Sequence, residues 1–137
     1  MGRVLAIDYG MKRIGMALSG PLQISINPLP TIETKVFSER LESLILTEDI
    51  SAVVFGLPTH ADGNLTDVGI VVDKLINKYK RQYPNIKFNV IDESYTSVQA
   101  VNLLMELGVK KSERRKKEKI DQMSAVIILK NYLNSQA

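Results

Sequence analysis

The 137-residue chain has no cysteine, no tryptophan and a single histidine, His60. Without cysteine there is no thiolate nucleophile and no cysteine-bound iron–sulfur cluster. One histidine alone leaves too few donors for a structural zinc site. The same lack of cysteine fits a reducing compartment. No apolar run approaches the roughly 18–20 residues that span a bilayer. The N-terminus also lacks the apolar stretch of a signal peptide. The expectation is a cytoplasmic protein with no membrane partner.

What is present is the composition of a globular chain. Hydrophobic residues make up 45% and charged residues 24%, enough for one real core without staples. At this length the expectation is one domain over residues 1–137. The formal net charge of +3 is compatible with a polyanionic partner and proves nothing alone.

The chain opens on "RVLAIDYGMKRIGMALSG". Val4–Ile7 and Ile14–Leu18 predict two strands joined by a tight polar turn, with Gly10 supplying backbone freedom. "NPLPTIE" predicts an edge strand, because Pro28 and Pro30 each lack an N–H. Val36, Phe37, Leu41, Leu44 and Ile45 recur at helical spacing between about Lys35 and Glu48. "SAVVFGLP" predicts a buried strand, and "THADGN" a loop that contains His60. Val68, Val71, Val72, Leu75, Ile76 and Tyr79 trace one face of a second helix. "IKFNVIDES" predicts a further strand. A third helix over Val98–Leu107 should stop at Gly108. After the charged run "KKSERRKKEK", Ile120, Met123, Val126 and Ile127 begin a last helix that reaches about Leu133.

Strands alternating with helices predict an α/β fold with parallel strand pairs. Sites in such sheets lie beyond the carboxyl ends of strands. Asp8 ends the first strand, and Asp92 and Glu93 end the last. Asp121 lies where the apolar stripe of the final helix begins. If the two strands are parallel neighbours, the acids converge. Converging acids either take up protons or bind a divalent cation, and hard oxygen donors suit Mg²⁺ or Mn²⁺. Each acid alone is as well explained as a helix cap or a strand end at the surface. Neighbouring strand residues face opposite ways, so only one of Asp92 and Glu93 can share a face with Asp8.

Four segments, "DYGMKRIGMALS", "VVFGLPTHADG", "VIDESYTSVQA" and "KKEKIDQMSAVIILKNYL", occur in this order. Together they resemble the YqgF/RuvX family across essentially the whole chain. That family is described as Holliday-junction resolvases and as nucleases that mature the small-subunit ribosomal RNA precursor. The resemblance implies a ribonuclease-H-like fold, a mixed five-stranded sheet flanked by helices. It also implies catalysis and metal binding by Asp8, Glu93 and Asp121, with Mg²⁺ or Mn²⁺ as cofactor. The partner it implies is nucleic acid, with precursor rRNA favoured in ribosome biogenesis and branched DNA as the alternative. Two positions depart from the family pattern: Gly20 stands where an aspartate is usual, and Ser94 where an arginine is usual.

Lys12 and Arg13 follow Asp8 in the turn and are candidate phosphate contacts or a solvated hairpin tip. Lys110–Lys119 holds seven basic residues against Glu113 and Glu118. Such runs are usually solvated faces, but its place just before Asp121 makes Arg114, Arg115, Lys116 and Lys117 candidate nucleic-acid contacts. The run has no aromatic residue, so base stacking there is not indicated. Three readings follow: a metal-dependent nuclease, a nucleic-acid-binding protein that does not cleave, and an ATPase. The first hairpin also resembles the phosphate-binding hairpin of actin-like and sugar-kinase folds. Those folds close two domains around nucleotide, which 137 residues cannot supply. Junction resolution needs two symmetric cuts and so a twofold pair. The expected state is a monomer or weak homodimer.

Overall fold

The computed structural model describes residues 2–57, 66–92, 96–114 and 116–136. His60 and the loop predicted around it, Glu93, Ser94 and Arg115 all lie outside these residues. The elements run β1 (Arg3–Tyr9), β2 (Arg13–Ser19), β3 (Ile26–Glu33), α1 (Phe37–Thr47), β4 (Ile50–Leu57), α2 (Asp67–Gln82), β5 (Lys87–Asp92), α3 (Thr96–Glu106), α4 (Lys111–Arg114) and α5 (Lys117–Ser135).

The strands form one mixed five-stranded sheet in the order β3-β2-β1-β4-β5. β1 pairs antiparallel with β2 and parallel with β4, and β4 pairs parallel with β5. The proline-bearing β3 stands at the edge, as its missing N–H groups demand. The condition set for convergence of the strand-end acids is met in part: β1 and β5 are parallel but not neighbours, because β4 lies between them. Their ends are therefore two strand spacings apart, about 10 Å.

The two faces of the sheet differ in side-chain size, and this decides what packs where. Leu5, Ile7, Ile14, Met16, Val53 and Phe55 share one face with Phe37 and Leu41 of α1 and Val72, Ile76 and Tyr79 of α2. Val4, Ala6, Ala17, Ala52 and Val54 face the other way, onto Ala125, Ile128, Leu129 and Tyr132 of α5. Short side chains on that face let α5 lie close to the backbone of the sheet. Residue 36 departs from expectation: Val36 lies in a short 3₁₀ turn before α1 and is exposed. The charged run is also partly helical, supplying α4 and the first turn of α5. Gly108 ends α3 at φ 75°, a left-handed stop that glycine adopts without strain.

Candidate functional site

Alternation along β1 points Val4 and Ala6 toward α5, so Asp8, two residues on, faces the same helix. It is an acid that continues an apolar stripe. Its antiparallel partner is Gly15 on β2, and directly opposed residues share a face. A Cβ on Gly15 would run into the carbonyl group of Asp121 and come within 3.1 Å of the Gln122 N. The missing side chain is therefore what lets the backbone of α5 settle on β2 at Asp121. This seat brings the fifth residue of α5 beside the last turnward residue of the β1 stripe. Gly15 is the site residue that sequence reasoning missed. The only signal was a glycine inside a strand, which often marks a close backbone approach.

The electrostatics bear the signature of that approach. The carboxyl of Asp8 is pushed up to about 7, first by burial and then by the negative charge of Asp121. Asp121 is also raised, with burial the largest cause. Arg13 pulls the other way: its Nε donates to Asp121 Oδ2 at 3.2 Å. Glu118 adds to the rise, and Lys117, one turn earlier on α5, opposes it. Among the described residues Asp121 has an ion-pair partner and Asp8 has none.

The other predicted site residues separate. Asp92 is exposed and lies in register with Leu57. By alternation it shares the face of Phe88, which packs with α1 and α2. Asn89 and Ile91 point to the α5 face instead: Asn89 Nδ2 donates to the Tyr132 hydroxyl at 3.0 Å, and Ile91 packs with that core. Asp92 therefore stands on the wrong face to join Asp8. Lys12 is exposed, and its carbonyl accepts from the Thr34 N at 3.0 Å. Arg13, named as a candidate phosphate contact, is turned onto Asp121.

Gly10 serves the turn by space rather than by φ. The only positive-φ glycine among the described residues is Gly108, while a Cβ on Gly10 would sit 2.5 Å from the Arg13 carbonyl oxygen. Of the basic run, Lys116 and Lys117 are exposed and Arg114 half-buried. Lys116 Nζ pairs with Glu113 Oε1 at 3.0 Å. Gly20 lies at the far end of the sheet, since β2 runs antiparallel and Leu18 already pairs with Leu5. The departure at that position is remote from Asp8. No helix among the described residues is long and apolar enough to cross a membrane.

A model of the family described as RuvX, Holliday junction resolvase, matches residues 2–135. A relative from Amoebophilus asiaticus, provisionally named a pre-16S rRNA nuclease, is 38% identical over 135 residues, covering 98% of this chain and 96% of its own. One of the same name from Porphyromonas gingivalis is 36% identical and covers 98% of each chain. Among solved structures, T. thermophilus RuvC in complex with a Holliday junction substrate matches with a TM-score of 0.58 at 14% identity, over 99% of this chain and 96% of that one. The fowlpox virus resolvase in complex with junction DNA matches with a TM-score of 0.55 at 15% identity, over 98% of each chain. At such identities the likeness speaks for the fold, which is ribonuclease-H-like.

Proposed function

The chain belongs to the RuvX family of Holliday junction resolvases, and on that premise we propose that it is a nuclease that hydrolyses phosphodiester bonds in the precursor of 16S rRNA. The observation that carries this reading is the meeting of Asp8 and Asp121 on one face at the carboxyl end of β1, close enough that the charge of Asp121 raises the carboxyl of Asp8. The full-length relatives named for pre-16S rRNA favour RNA as substrate. The description of the family itself favours branched DNA as the second reading.

The donor set fits a hard divalent cation. Two carboxylates share a partly buried face, and among the described residues Arg13 pairs with only one of them, Asp121. Asp8, Asp121 and Glu93 would hold the ion. Glu93, outside the described residues, is taken as the third acid from the family resemblance; β5 turns Asn89 and Ile91 to the α5 face and so leaves Asp92 on the other. When bound, Mg²⁺ or Mn²⁺ supplies neutralising charge to the phosphodiester and acidity to the attacking water.

The chain's own residues set the stage for that chemistry. Asp8 and Asp121 fix two oxygen donors from different elements, held by the sheet and by the seat of α5 on Gly15. Their partial burial weakens the screening of the charges by bulk water. Lys117, beside Asp121, begins a cationic path by which Arg114, Arg115, Lys116 and Lys117 contact the phosphate backbone.

The test is a cleavage comparison. Purified protein is given a 5′-labelled precursor-rRNA fragment and a four-way DNA junction, each with Mg²⁺. The reading expects discrete cuts in the RNA and slower or no cutting of the junction. Symmetric cuts in the junction alone would favour the second reading, and no cleavage of either would overturn both.

A further inference from the structure

The ion pair between Arg13 and Asp121 has a consequence for how the site loads. Arg13 opens β2 on the α5 face, two residues before Gly15. Its direct cross-strand partner on β3 is Glu33, which would be the ordinary place for its charge to go. Glu33 is instead engaged by Lys35, at 3.0 Å. Arg13 reaches the other way, across to α5, and its Nε takes Asp121 Oδ2 at 3.2 Å. Asp8, on the adjacent strand, receives no such partner among the described residues.

Both partners of the pair keep some access to solvent, with 31% of the Arg13 side chain and 25% of the Asp121 side chain exposed. The guanidinium therefore has somewhere to go. The contact at Oδ2 also occupies an oxygen that a divalent ion would use. Two cations cannot share one partly buried carboxylate without repelling each other.

We infer that Arg13 is an exchangeable counter-cation, which neutralises Asp121 in the metal-free protein and is displaced from it when the divalent ion enters. This inference rests on the reading of Asp8 and Asp121 as ion ligands. It gives Arg13 a role apart from phosphate contact: it holds down the metal affinity of the free protein. It acts on the site through Asp121 and is a positioning residue.

The test is binding of Mn²⁺ alone to the metal-free full chain at one fixed pH, by calorimetry or by loss of the free-ion paramagnetic signal. Four proteins are compared: wild type, Arg13→Gln, Arg13→Lys and Asp121→Asn. Circular dichroism confirms that each is folded. Arg13→Gln removes the competing charge and keeps a donor, so it should bind Mn²⁺ about three- to tenfold more tightly than wild type. Arg13→Lys keeps the charge and should stay within about twofold of wild type, which separates charge from shape. Asp121→Asn should bind much more weakly than wild type.

Affinity of Arg13→Gln equal to or weaker than wild type, with Asp121→Asn still impaired, would overturn the displacement and leave the metal site standing. That result would mean that Arg13 supports the bound state instead. Mn²⁺ binding that ignores Asp121→Asn would overturn both the displacement and the proposed site. Misfolding of Arg13→Gln would leave Arg13→Lys to decide, since tighter binding by the variant that keeps the charge would contradict competition by charge.

Discussion

Asp8 carries the strongest perturbation in the molecule's described residues, and its sign makes a prediction. Its folded pKa is about 7 against an ordinary value of 3.8. The folded state thus binds this proton more tightly than the unfolded chain does. The favourable contribution is fully present below the unfolded pKa and is lost as pH rises from about 4 through about 7. In metal-free protein, Asp8→Asn removes the cost of burying the charge. At pH 8 the variant should be more stable than wild type by on the order of 2 kcal/mol, a figure below the full value of the shift because the group is not wholly buried. The difference should shrink as the pH is lowered toward 4. Urea unfolding at several pH values in EDTA measures it, and a difference that stays flat with pH would mean that Asp8 is not held protonated by its surroundings. The residue itself was legible in the sequence as an acid at a strand end. Its environment was not, because burial depends on a helix more than a hundred positions away.

At the scale of elements, the closeness of α5 to β2 is the structural condition for the site. Strand and helix positions were largely legible, since the short apolar run of β1 and the 3.6-residue stripe of α2 are both local signals. The order β3-β2-β1-β4-β5 was not local, and β4 entering between β1 and β5 could not be read from any one segment. The choice between Asp92 and Glu93 was half legible. Alternation demanded one or the other, and the packing of Phe88 and Ile91 on opposite faces turns Asp92 away from Asp8, while Glu93 lies outside the described residues. The role of Gly15 was invisible because a glycine in a strand does not say what lies over it. Gly15→Ala should push α5 off the strand, cost about 1–3 kcal/mol as an overpacked contact with backbone, and weaken Mn²⁺ binding through Asp121. Urea unfolding and a Mn²⁺ titration on the same variant check both effects. Unchanged stability would show that α5 does not depend on that seat.

For the whole molecule, charge is distributed so that the basic run leads into the acids. α4 carries Lys111 and Arg114, Lys116 caps α5 and Lys117 opens it, and Lys117 is near enough to lower the carboxyl of Asp121. The pair of Lys116 with Glu113 lies at the surface and is worth little, so it does not withhold Lys116 from a phosphate. Binding of single-stranded RNA should weaken with salt, with a slope of roughly −0.7 per phosphate neutralised. Replacing Arg114, Arg115, Lys116 and Lys117 with serine, in the Asp8→Asn background so that no cleavage interferes, should flatten the slope by up to roughly 3 and weaken all sequences alike. An unchanged slope across a salt series would make the run a solvated face and move the substrate path elsewhere.

The central claim is that Asp8 and Asp121, with Glu93, form one cation-dependent centre for phosphodiester hydrolysis. Single-turnover cleavage of a 5′-labelled precursor-rRNA fragment by wild type and Asp8→Asn, each with Mg²⁺ and with excess EDTA, tests it most directly. The account predicts cleavage by wild type only with Mg²⁺, and a rate for Asp8→Asn lower by at least about a hundredfold in a protein that remains folded. Cleavage by Asp8→Asn at the wild-type rate, or cleavage by wild type undiminished in EDTA, would contradict it.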